Sequence, residues 1–168
     1  MRNESAQMPG GWKRLDKAAF GIVYGAITVL SILMAIGDHS DAPFETAAIL
    51  FGSVLAVTMA KAFSELLAHA IDTGERLTRS AWHAAWRHSS PSLSMAILPA
   101  LLFLSAGLGM MTVELAVGLS QLVSVAILLL IGARVGWVID RRHWPAIGGA
   151  LFAGGIGLAL AGLKYVIH

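Results

Sequence analysis

Five apolar runs, each about as long as a bilayer is thick, decide what this chain can become. A spanning helix needs about 20 mostly apolar residues, and runs over about 18–37, 44–66, 92–111, 114–138 and 145–166 meet that length. The expected fold is therefore all-α: a polytopic bundle of five transmembrane helices. Composition agrees. The chain is 57% hydrophobic and 13% charged, where soluble domains run nearer a quarter charged. Its mean hydropathy is +0.72.

The connecting segments test the count. Arg2, Lys13, Arg14 and Lys17 lie before the first run, and the loop DHSDAPFE after it has no Lys or Arg. Arg76, Arg79 and Arg87 then precede the third run, and the turn near Met110–Glu114 has no basic residue. Arg134, Arg141 and Arg142 cluster before the fifth. Basic and non-basic sides alternate along the whole chain. The positive-inside rule then predicts a cytoplasmic N-terminus and an outside C-terminus.

Residues 1–17 read as a polar cytoplasmic tail. The first run is longer than a signal-peptide core and lacks a small-residue cleavage pattern, so it is expected to be a retained span. The compact loops suggest a bacterial cytoplasmic membrane. The chain has no Cys, which excludes disulfides, thiolate metal sites, iron–sulfur clusters and Cys nucleophiles. Topology accounts for the basic residues, so nucleic acid is not an expected partner. No H-E-x-x-H or G-x-S-x-G motif is present, and an enzyme is not expected.

The densest line of ionisable residues runs from Thr58 to Arg87. On one helix Thr58, Lys61, Glu65, His69, Asp72, Arg76, Arg79, His83 and Arg87 would share roughly an 80° sector. Lys61 and Glu65 fall near the inner edge of the second span and His69 at the border. An ionisable residue inside a span is a functional hypothesis by default. With Gln121 of the fourth span, Lys61, Glu65 and His69 form a candidate ion path. Against it stands a simpler origin: a helix leaving a membrane becomes polar, and i,i+4 pairs such as Lys61–Glu65, Asp72–Arg76 and Glu75–Arg79 solubilise it. No cofactor is expected. The one metal candidate is a divalent ion on Glu65, His69 and Asp72, whose O/N donors suit it.

Beyond Glu65 the helix either continues or breaks at Asp72-Thr73-Gly74-Glu75, where Asp72 can cap a new helix. A cytoplasmic or interfacial helix is expected over about 67–90, after the roughly 20 residues that a span consumes. Its Trp82 and Trp86, with Arg79 and Arg87, suit headgroup depth. Arg134, Arg141 and Arg142 are placed for the same headgroups. Ser89-Ser90-Pro91-Ser92 reads as the start of the third span.

Small residues mark expected helix contacts. Gly21-x-x-x-Gly25 lies on the first span. Ala146, Ala150, Ala153, Gly157 and Ala161 form a stripe on the fifth, to be buried by a helix of this chain or of a neighbour. A homo-oligomer or a partner membrane protein is the expected assembly, within the lipid bilayer.

The layout of five spans with a helical extension after the second, the segment from Ser90-Pro91 through the third span, VAILLLIGARVGWVIDRR, and Trp144 with IGGALFAGGIGLALAGLKYVI together resemble the vacuolar iron transporter family. The resemblance covers about half the chain. It implies that family's helical fold and a metal-transport activity, with Met59 and Glu65 as the matching site positions. The family's Asp-Gly signature has no counterpart between Ala18 and Gly37, and Lys61 stands inside the second-span motif. The residues therefore point to a small cation- or proton-linked transporter or channel-like protein. The alternative is a non-transporting accessory subunit or scaffold whose 67–90 helix binds a partner or lipid headgroups.

Overall fold

The computed structural model describes the backbone of residues 10–36, 42–74, 78–140 and 143–167, and side chains within 18–36, 42–74, 78–138 and 143–163. The described residues form five helices: α1 Gly10–Ile36, α2 Pro43–Thr73, α3 Arg79–Gly107, α4 Val113–Asp140 and α5 His143–Ile167. All five are long and apolar enough to cross a membrane. Their outward faces carry large apolar side chains, with Leu122, Leu130, Leu151 and Phe152 each more than 60% exposed. Such surfaces are stable in lipid and unstable in water.

The helices are arranged as two hairpins, α2–α3 and α4–α5, with α1 touching every other helix. Three apolar clusters fill the joints. The largest joins Val29 and Leu33 of α1, Leu50 and Val54 of α2, Phe103 of α3 and Ala116 of α4. A second joins Ala26 and Leu30 of α1 to Val125 and Leu128 of α4. The third joins Ala62 and Leu66 of α2 to Ala85 of α3, flanked by Trp82 and Trp86.

The 67–90 stretch takes the second of its two alternatives: the helix breaks, at Gly74. Its first part is the end of α2, which runs on to Thr73, and its second part is the start of α3. Gly74 ends α2 with φ +66°, and its N–H bonds the carbonyl of Ala70. Glycine adopts that left-handed geometry without the Cβ clash other residues meet. Thr78, not Asp72, caps the next helix by accepting the Ala81 N–H at 3.2 Å. The helix that carries the third span begins before Ser89, at Arg79, and passes through Pro91 unbroken. Proline lacks the N–H that would reach the Arg87 carbonyl. The Ser90 hydroxyl donates to that carbonyl at 3.4 Å and replaces the missing donor.

Candidate functional site at the end of the α2–α3 hairpin

Chain reversal at Gly74 dismantles the single polar stripe. Arg79, His83 and Arg87 lie on α3, antiparallel to α2, and Arg76 and Glu75 lie outside the described residues. The stripe on α2 then splits into separate contacts.

Glu65 turns to α3. The Ser89 hydroxyl donates to its Oε2 at 3.5 Å, and His88 Nε2 lies 3.8 Å from Oε1. Both contacts are at the long edge of bonding range, so the carboxylate is directed rather than clamped. Ser89 is fully buried, while the His88 side chain is 60% exposed and that of Glu65 32%. The His88 contact is an ion pair only when the imidazole is protonated. An open cavity of about 230 Å³ is bordered by Glu65, Leu66, His69, Ala81, Ala84, Ala85 and His88. One carboxylate and two imidazoles therefore face the same space from two helices.

Lys61 turns the other way. Its Nζ lies 4.4 Å from the Phe20 ring centroid and 5.9 Å from that of Tyr24, both on α1. The ammonium is buried and has no hydrogen-bond partner among the described residues, so the expected i,i+4 pair with Glu65 is not made. The two residues point to different neighbours, α1 and α3. Thr58, one turn further in, is fully buried and returns its hydroxyl to the Val54 carbonyl at 2.7 Å.

The remaining candidates fall elsewhere. Gln121 is eight residues into α4, about 12 Å along that helix, whereas Glu65 is about 33 Å along α2 from Pro43. The α2 and α4 starts share one end of the bundle, so Gln121 lies nearer that end and Glu65 nearer the other, at different depths. Asp72 is exposed on the last turn of α2 and does not border the cavity. Among the described residues, no three His, Asp or Glu side chains converge as a metal cluster.

Trp82 and Trp86 stack with centroids 6.4 Å apart. They pack half-buried on Ala62, Leu66 and Ala85 and so also belong to the core of the hairpin. Arg79 and Arg87 are exposed and Arg134 is half-buried. Arg141 and Arg142 lie outside the described residues.

The small-residue positions meet neighbours. A Cβ at Gly25 would stand 2.5 Å from the Ser92 carbonyl oxygen and one at Gly21 3.1 Å from Pro91 Cβ, so α1 rides closely on α3. Gly157 meets Leu128 of α4, and Ala150 is half-buried. Two positions on α4 were not singled out from sequence. Gly132 abuts Gly149, and Gly136 abuts Pro145 and Ala146, all through backbone atoms. Their Gly-x-x-x-Gly spacing equals that of Gly21 and Gly25 and is the signal that identifies them. His88 also escaped sequence reading. Glu65 is eight residues before the end of α2 at Thr73 and His88 nine after the start of α3 at Arg79, so antiparallel pairing of the two helices brings them level.

Comparison with known proteins returned no matching protein family, curated protein or solved structure.

Proposed function

We propose that this chain is a small proton-linked membrane transporter whose loading site is the Glu65–His88–His69 cavity. The observation that carries the reading is that Glu65 leaves its own helix partner, Lys61, and turns to His88 at the mouth of an open cavity. Imidazole changes charge near neutral pH, carboxylates accept and donate protons, and chains of Glu and His are the usual proton relays of transporters. Under the positive-inside rule the site opens to the cytoplasm, on the same side as Arg79 and Arg87.

Proton transfer here runs between Glu65 Oε1 and His88 Nε2. Their 3.8 Å separation shortens to bonding range by a side-chain rotation in the open cavity. The Ser89 hydroxyl steadies the other carboxylate oxygen. Beyond the site, Leu33, Leu50, Val54 and Phe103, each at most 2% exposed, close the bundle. The arrangement is therefore a half-site loaded from one side, with passage requiring that apolar layer to part.

The same apolar layer favours a second reading, a non-transporting accessory subunit in which the cavity only joins α2 to α3. Purified protein in liposomes separates the two. Transport predicts that the wild-type chain dissipates an imposed pH gradient and that Glu65→Gln does not, with unchanged elution and helicity. A divalent-cation arm with Mn²⁺ and an entrapped indicator reads the alternative cargo. A wild-type chain that moves neither protons nor Mn²⁺ sinks the transport reading.

A further inference from the structure

The geometry around Lys61 assigns it a role distinct from loading. We infer that Lys61 is a tethered cation with two resting places, the Phe20 and Tyr24 rings on α1 and the carboxylate of Glu65. The inference rests on the reading that Glu65 gains and loses a proton.

Three observations carry it. First, the Lys61 ammonium is buried without a hydrogen-bond partner among the described residues and lies over the Phe20 ring. A ring quadrupole attracts a cation but does not replace the hydrogen bonds that a buried ammonium loses. Second, Glu65 lies one turn away at i+4, where side chains of this length meet. The order Lys then Glu is the weaker of the two i,i+4 orders, so such a pair competes with the aromatic position without overwhelming it. Third, Glu65 is held loosely, at 3.5 and 3.8 Å, and is free to exchange partners.

Among the described residues, the charged or titratable groups near the carboxylate are His69 from α2 and His88 from α3, with Lys61 one turn away on α2. When His88 is protonated, it holds Glu65 and Lys61 stays on the rings. When Glu65 is ionised and His88 neutral, with Lys61 on the rings, the carboxylate has no counter-charge among the described residues. Among the described residues, Lys61 is the cation within reach that supplies one without uptake from solution. It therefore holds the unloaded site neutral.

Zero-length carbodiimide coupling of the full chain in liposomes reads this directly. The reagent activates Glu65, and attack by the Lys61 amine forms an amide with loss of one water, seen in the peptide mass. At one fixed neutral pH, His88→Asn removes the competing partner, and Phe20→Leu removes the nearer ring. Each is expected to raise the Lys61–Glu65 amide several-fold over wild type, and Glu65→Gln abolishes it. Equal yields in wild type, His88→Asn and Phe20→Leu, or no amide in any of them, overturn the inference. This readout is independent of flux, so it stands apart from failure of the transport reading. If transport is observed, Lys61→Met lowers proton turnover several-fold while the protein stays folded. Unchanged turnover would reduce Lys61 to a packing residue.

Discussion

The two hairpins of this molecule solve the same packing problem by different chemistry. In α4–α5 the helices meet through backbone, with Gly132 against Gly149 and Gly136 against Pro145 and Ala146. In α2–α3 they meet through side chains: Leu66, Ala85 and the Trp82–Trp86 stack at one end, and Glu65 with His88 and Ser89 beside them. The difference follows from the solvent. Within lipid, burying Leu against Leu gains little because the tails are equally apolar, so close backbone approach must supply the contact. α2 is 31 residues long, or about 46 Å at the helical rise, which exceeds the roughly 30 Å hydrocarbon core. Where an end of α2 extends past the hydrocarbon it meets water, and there a Leu–Trp cluster would be stabilised by the ordinary hydrophobic effect and a polar site hydrated.

The largest expected effect breaks the backbone hairpin. Gly136→Leu drives a side chain into the Pro145–Ala146 backbone, which has no flexible end to yield. A loss of about 3 kcal/mol is expected, read as a lower unfolding midpoint in detergent. Next, Leu66→Ala empties the water-side cluster and should cost about 2–3 kcal/mol. Hydrogen exchange should then quicken over 62–73 and 79–90 and stay unchanged over α4 and α5. Uniform quickening would show that the two hairpins are not separate units.

Gly74→Ala comes third. Alanine at φ +66° costs about 1 kcal/mol, and the loss should appear at the hairpin tip alone. The smallest effect belongs to the outward glycines of α5. A Cβ at Gly148 or Gly155 meets nothing within 4 Å, so Gly148→Ala and Gly155→Ala should change monomer stability by less than about 0.5 kcal/mol. A larger loss, or a change in oligomeric state, would place a neighbouring helix on that face.

Span count and fold class were legible because lipid demands long apolar runs, and the basic loops alternate with them. The site was legible in part. Lys61, Glu65 and His69 stood out because ionisable residues are costly near hydrocarbon. Their partners did not, because a helical wheel extended from Thr58 to Arg87 assumes no reversal. Gly74 was visible as a weak point, yet only the hairpin brings His88 beside Glu65 and sends Lys61 to Phe20. Likewise Gln121 shared a polar character with the stripe but not a level in the bundle, and depth depends on which ends of α2 and α4 lie together. Trp82 and Trp86 resembled interface anchors because a Trp–Arg face looks the same whether it covers lipid or its own hairpin.

The central claim is that Glu65 belongs to a one-sided α2–α3 site and not to a path through the bundle along α4. The cysteine-free chain allows a direct measurement with a short bifunctional thiol reagent in liposomes. The chain bearing Glu65→Cys and His88→Cys should cross-link internally, whereas Glu65→Cys with Gln121→Cys should not. Cross-linking to position 121 with none to position 88 would contradict the account and restore a transmembrane polar path.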